Sequence, residues 1–136
     1  MTRAEREAFL ADAHVGVLAI DEPGRGPMSA PIWYLYDDGA VVMNIDGDSV
    51  KAKLARAAGR ASLTVQTEAA PYKYVTVEGP VTLEGGTYEA LQMAVRYLGE
   101  ELGKWYVDEY EHPKTPVVMR LVPEHWRTYD FGKALA

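Results

Sequence analysis

The sequence predicts an α+β domain in which about three helices flank an antiparallel sheet or barrel of about six strands. Three observations carry this. Runs of β-branched and aromatic residues with alternating side chains recur along the chain, joined mostly by short hairpin-type turns. The tripeptide Asp37–Gly39 stands between two such runs, the signal of a tight hairpin. Three other stretches have helical spacing and recognisable ends. A doubly wound parallel sheet is not expected, because no glycine-rich fingerprint follows a strand. Gly24-Arg25-Gly26 precedes one and reads as a turn.

The elements follow in order. Thr2 and Glu5 have the spacing of a capping box, opening an amphipathic helix to about Asp12. "HVGVLAI", His14 to Ile20, is a first strand, and "MSAPIWYLYD" after the next turn is a second. "AVVMNI", Ala40 to Ile45, returns from the hairpin. Ser49 or Asp48 caps a second helix with Val50, Leu54 and Ala57 or Ala58 on its buried face, and Gly59 ends it. "RASLTVQT" and "YKYVTVEGPVTLE" are two further strands. Tyr88, Leu91, Val95, Leu98 and Leu102 then recur at three- and four-residue steps, predicting a long helix. "VVMRLV" is the last strand, and Pro123 interrupts its continuation. There is no internal repeat or linker, so residues 1–136 are expected to form one domain.

Composition narrows the function. No apolar run approaches the roughly 20 residues of a membrane helix, and the N-terminus lacks the features of a secretory signal. A cytoplasmic protein is expected. With no cysteine, disulfides, zinc-thiolate sites and iron–sulfur clusters are excluded. A formal charge of −6 argues against nucleic acid as a partner, since phosphate neutralisation needs a basic face.

Against that acidic background one segment is anomalous. From Ser49 to Thr67 the chain carries Lys51, Lys53, Arg56 and Arg60 and no carboxylate. Removing those four from 14 basic residues leaves 10 against 20 acidic ones elsewhere. If Ser49 is the N-cap, the free N–H groups of the first turn, the helix dipole, the Ser49 hydroxyl and the Lys51 ammonium converge where a phosphate would sit. Lys53 is about 200° from Lys51 around the helix at 3.6 residues per turn. It reaches the same anion only if the helix end is open. A capped surface helix with solvated cations has the same pattern, so both readings stand at this point.

The ordered set "SAPIWYLYDDGAVVMNIDGDSVKAKLARAAGRASLTVQTEAAPYKYVTVEGPVTL" resembles the split β-barrel flavoproteins of the pyridoxamine 5′-phosphate oxidase-like superfamily. More closely, it resembles the short members that use the deazaflavin coenzyme F420. The resemblance covers roughly residues 5 to 130. It implies a six-stranded antiparallel split β-barrel with flanking helices, the FMN-binding split barrel, assembled as a homodimer with cofactor sites at the interface. It further implies that Ser49, Lys51 and Lys53 hold the cofactor phosphate. Met28, Pro31, Ile32, Met43 and Asn44 would lie along the ring system, and Tyr72, Lys73 and Tyr74 would arrive from the partner subunit. Arg56, Arg60 and Lys73 would be available to the longer acidic tail of F420.

The implied activity is oxidoreduction by hydride transfer between the deazaflavin and a small organic substrate. FMN as cofactor, or cofactor carriage without catalysis, are the alternatives. Vitamin B6 oxidation is not expected, because the chain lacks the terminal arginine arrangement of true pyridoxamine phosphate oxidases. Its "RLVP" at Arg120–Pro123 lies too early.

Other chemistry finds no pattern. His14, His112 and His125 lack metal-ligand spacing, so no metal site is expected. Ser29, Ser49 and Ser62 lie in no nucleophile elbow. Glu78 and Glu84 share a strand without forming a glycosidase pair. No catalytic residue is identified. Trp33, Tyr34 and Tyr36 are read as core or interface aromatics, with ring stacking on a flavin as the sharper alternative. "KWYVDEYEHP", Lys104 to Pro113, reads as a substrate lid or a plain helix end.

Overall fold

The computed structural model describes all residues from Met1 to Ala136. Thr2 caps helix α1 (Arg3–Ala11): its hydroxyl accepts from Glu5 N–H at 3.2 Å while Glu5 returns a carboxylate to Thr2 N–H at 2.8 Å. Strand β1 (Gly16–Ile20) then pairs with β2 (Met28–Ile32), whose register sets Gly16 against Ile32 and Ile20 against Met28.

The long second strand of the sequence reading is two strands. After Ile32 the chain leaves the first sheet, and β3 (Leu35–Asp37) pairs instead with β4 (Ala40–Asp46). At the break Tyr34 goes fully into the core and donates its hydroxyl proton to Leu10 O at 2.6 Å. Tyr34 N–H has no ladder partner and donates to the Tyr97 hydroxyl at 3.1 Å. The β3–β4 turn has Asp38 and Gly39 at φ of 50° and 75°, the left-handed pair that a two-residue hairpin requires.

Helix α2 (Val50–Ala58) starts at Ser49 and stops at Gly59, which adopts φ 70° and returns its N–H to Ala55 O. Its buried face differs from the expected one. Ala52 and Ala55 are buried, Leu54 is half-buried, and Val50, Ala57 and Ala58 face solvent. Small residues let the helix lie close to the sheet, so the alanines and not the larger aliphatics face inward.

Strands β5 (Arg60–Gln66) and β6 (Lys73–Gly85) follow. β6 belongs to both halves of the sheet. Its first part pairs with β5 and with β8 (His125–Asp130), and its second part pairs with β7 (Pro116–Leu121). The chain is interrupted around Pro123 as expected, between Leu121 and His125, but "HWRTYD" after the break forms a strand of its own, the eighth. The change of partner occurs at Gly79, where Val122 N–H bonds Pro80 O and Glu124 N–H bonds Glu78 O. A Cβ on Gly79 would lie 1.8 Å from Val122 O, so only glycine lets the returning chain cross here.

The strand order β2-β1-β5-β6-β7-β4-β3, with β8 on β6, is an antiparallel sheet curled into a half-barrel. Eight strands replace the six expected. The edges β2 and β3 do not pair with each other, so the barrel is split. Leu18, Leu63, Val65, Val75, Val77, Met119 and Leu121 fill its concave side together with Leu10 of α1 and the two α2 alanines.

The long helix predicted over Tyr88 to Leu102 is broken. α3 (Ala90–Leu98) ends at Gly99, α4 (Glu100–Trp105) follows, and Tyr106–Tyr110 close as a π-helical turn. Gly99 has φ 85°, outside any helix. The two helices then pack so closely that a Cβ on Gly103 would lie 2.8 Å from Val95 Cα. The buried face is Met93 and Ala94; Leu91 and Leu102 are exposed. A four-residue helix α5 (Phe131–Ala134) ends the fold. No helix is long and apolar enough to cross a membrane.

Candidate functional site

A cleft of about 710 Å³ opens between the ends of β2 and β4, the head of α2 and the α3–π segment. That volume lies within the range of small-molecule sites, roughly 300–1,000 Å³. Five residues singled out in the sequence line it together: Pro31 and Ile32 of β2, Asn44 of β4, and Ser49 and Lys51 at the helix head. Residues from positions 31 to 51 meet here because β2 and β4 end on the same side of the half-barrel, and Asp46–Ser49 turn the chain directly into α2.

The helix head is built locally. The Ser49 hydroxyl donates to Asp46 O at 2.5 Å and accepts from Ala52 N–H at 3.2 Å. Its proton is therefore engaged within the cap. Asp46 Oδ1 accepts from Asp48 N–H at 3.0 Å, Gly47 N–H donates to Thr115 O at 2.7 Å, and Arg56 Nη1 donates to Gly47 O at 3.0 Å. These contacts fix the loop and leave the N–H groups of Val50 and Lys51 without an acceptor, as the first turn of a helix dictates. Lys51 has no ion pair. Two free amides and one ammonium thus suit a single anionic group of a ligand. Two carboxylates, Asp46 and Glu111, also line the cleft, so its lining is not uniformly basic.

Asn44 does not present its amide to the cleft. Its Nδ2 donates to Tyr88 O and its Oδ1 accepts from Tyr88 N–H, both at 2.8 Å, with Met93 Sδ at 3.8 Å from Nδ2. It ties the segment leading into α3 to β4 and so fixes one wall of the site. Tyr88 is held again through its hydroxyl, which donates to Asp37 Oδ2 and whose ionisation is pushed upward chiefly by that bond.

The other expected residues lie elsewhere in this chain. Met43 alternates with Asn44 and is fully buried in the core, so it does not reach the cleft. Met28 sits at the opposite end of β2 from Ile32 and packs on the core. Lys53 is exposed and outside the lining. Tyr72, Lys73 and Tyr74 lie around the start of β6, two strands from β1, and do not line the cleft of their own chain. Of the cations expected near an acidic tail, Arg60 is ion-paired to Glu124 at 2.8 Å and Arg56 is engaged with Gly47.

Sequence reading missed part of the wall. Thr87, Ala90 and Met93 line the cleft because α3 lies across its mouth, and no local pattern announces that placement. Trp33, offered by the sequence as a ring-stacking aromatic, and Tyr106, within the Lys104–Pro113 stretch read as a lid or a helix end, line it too. Trp33 stacks on Tyr97 at 5.1 Å and 7°, and Tyr106 lies 4.9 Å away, tilted by 49°. Tyr106 opens the π-helical turn, a geometry frequent at functional sites but invisible in side-chain periodicity. The "KWYVDEYEHP" stretch supplies Tyr106, Val107, Glu111, His112 and Pro113 to the lining.

The comparisons agree with this architecture. Residues 2–130 match the family described as pyridoxamine 5′-phosphate oxidase. No curated protein matches the chain. A conserved hypothetical protein of Mycobacterium tuberculosis superposes with a TM-score of 0.79 at 22% identity, covering 100% of this chain and 89% of that one. An F420 reductase gives 0.64 at 19% identity, with 89% and 94% covered. A FAD-binding protein of Mesorhizobium loti gives 0.65 at 22%, with 94% of each chain covered. These identities carry the fold alone. The half-barrel curled around Gly79 and a family match running nearly the length of the sequence lead to one conclusion: this chain belongs to the pyridoxamine 5′-phosphate oxidase-like split-barrel family.

Proposed function

We propose that the chain is an oxidoreductase that binds coenzyme F420 in the cleft and transfers a hydride between that deazaflavin and a small organic substrate. The observation that carries this reading is the convergence of Pro31, Ile32, Ser49 and Lys51 on one cleft beside the free amides of Val50 and Lys51. When bound, the deazaflavin supplies hydride chemistry at C5 of its ring. The chain's own part is orientation and exclusion of water. Lys51 and the two amides hold the anionic group, Pro31 and Ile32 offer an apolar strip for a flat ring, and the Asn44-pinned segment covers it. No side chain is assigned as proton donor.

FMN is the second reading, and one observation favours it. Arg60, one of the cations an extended acidic tail would use, is already paired with Glu124. FMN has a single phosphate and makes no such demand. A homodimer completes either reading, with Tyr72, Lys73 and Tyr74 contributed by the second subunit. Val15 and Val17 of the β1 region are exposed and adjoin the cleft through Val15 and Pro31, which supplies an apolar surface for that contact.

Titration of the purified protein with F420 and with FMN, followed by fluorescence quenching, tests the cofactor. Binding of F420 with turnover of an acceptor supports the first reading, and binding of FMN alone replaces it with the second. F420 binding without turnover on any acceptor indicates a carrier. If neither binds, both cofactor readings fail.

A further inference from the structure

The wall contributed by the π-helical turn has a polarity that an anion at the helix head does not explain. Tyr106 O–H donates to Glu111 Oε2 at 3.2 Å. His112 Nε2 lies 3.0 Å from Asp108 O. A carbonyl oxygen only accepts, so Nε2 carries the hydrogen of this bond and is occupied by it. The Tyr106 proton is committed to Glu111, leaving lone pairs on its oxygen. The Glu111 carboxylate and the Tyr106 phenolic oxygen therefore both face a ligand here as acceptors. Beside them stand the rings of Trp33 and Tyr106, whose faces are negative.

The backbone explains why these groups gather. Five residues span about 1.4 turns of an α-helix at 3.6 residues per turn, which would point Tyr106 and Glu111 apart. Here Glu111 N–H bonds Tyr106 O at 2.9 Å, five residues back, and the wider turn brings both side chains to one side. Trp33 packs directly on Tyr106, and Trp33 is itself stacked on Tyr97. The wall is pre-organised, and the side chains of Tyr106 and Glu111 offer it acceptors; the Trp33 indole N–H is the one donor beside them.

We propose that this wall is the substrate subsite and that it takes flat heteroaromatic molecules bearing N–H donors or a positive charge. Such a ring satisfies the acceptors with its N–H groups and lies against aromatic faces that attract cations. The proposal rests on the reading that the helix head holds the cofactor, since that assigns this wall to the second ligand. Flat acids and ring carbonyls without N–H groups are disfavoured, because their lone pairs would meet the lone pairs of Glu111 and Tyr106.

Isothermal titration of the full chain with two bicyclic probes tests it: 4-aminoquinoline, protonated at neutral pH, and 1-naphthoate. The expected result is that 4-aminoquinoline binds at least tenfold more tightly than naphthoate, and that Glu111→Gln weakens it about tenfold with an unchanged melting temperature. Tyr106→Phe, which removes one acceptor, is expected to weaken it a few-fold. No binding of 4-aminoquinoline, equal or tighter binding of naphthoate, or an affinity in Glu111→Gln within twofold of the parent overturns the proposal. If the Glu111 dependence appears while neither flavin binds, the subsite stands and the cofactor reading falls. If a flavin binds and the Glu111 dependence is absent, the outcome is the reverse.

Discussion

Asn44 and Tyr88 are joined by a two-point hydrogen bond: the Asn44 carboxamide meets both the N–H and the C=O of Tyr88, each at 2.8 Å. One side chain in β4 thereby satisfies a backbone unit 44 positions away and sets the approach of α3 to the cleft. Asn44→Ala leaves two half-buried backbone groups unpaired, and each lost partner costs about 1–3 kcal/mol when the group stays dry. The expected loss in a urea unfolding series is about 2–4 kcal/mol, moderated by water entering the opened cleft. Asn44→Asp keeps the acceptor for Tyr88 N–H and is expected to lose less than Asn44→Ala.

Lys51→Ala is expected to lower affinity for the flavin or deazaflavin by about 10- to 100-fold, the scale of one charge-assisted hydrogen bond. Folding is expected to be unaffected, because Lys51 makes no ion pair. Parallel cofactor titration and thermal melts separate the two effects. Unchanged affinity would remove Lys51 from the site.

Gly79→Ala is expected to abolish folding or reduce stability by more than about 3 kcal/mol, among the largest single-substitution effects. The added Cβ meets a backbone carbonyl at 1.8 Å, and that carbonyl belongs to the bonded crossing between β7 and β8. Neither side can yield without breaking the ladder. Soluble yield and the urea midpoint measure this; a variant as stable as the parent would show that the crossing can shift.

Burial, reinforced by the neighbouring Tyr97, raises the Tyr34 hydroxyl well above its ordinary value. A group whose folded pKa is raised contributes stability that is complete below the unfolded value of about 10 and is lost as pH rises from there. Alkaline unfolding is therefore expected to set in above pH 10 and to be blunted in Tyr34→Phe. At neutral pH the same substitution is expected to cost about 1 kcal/mol, because Leu10 O loses its 2.6 Å donor. Chemical unfolding of both forms at pH 7 and pH 10.5 checks both statements.

Much of the fold was legible from sequence because it is fixed locally. The Thr2–Glu5 capping box, the Asp38-Gly39 turn and the Ser49 and Gly59 helix ends each depend on backbone groups within a few residues. The free amides at the helix head follow from the same local rule. Their convergence with Pro31 and Ile32 was reached by resemblance, not by periodicity. Where the reading slipped, a long-range partner overrode the local pattern. β2 and β3 share an uninterrupted strand-like run, yet Tyr34 is drawn into the core by Leu10, and the chain changes sheets there. Val50 and Leu54 looked like the buried face of α2, but close approach to the sheet favours Ala52 and Ala55.

The sequence alone determined the first helix, the β3–β4 turn, both ends of α2 and one anion-suited helix head, because those depend on neighbours a few positions apart. Only the tertiary structure decided that β6 serves both halves of the sheet, that Asn44 is committed to Tyr88, and that Trp33, Tyr106 and Glu111 share a wall. Those facts arise from contacts tens of residues apart. Close packing of shapes and the pairing of buried polar groups select such contacts, and neither is written in the spacing of side chains along the chain.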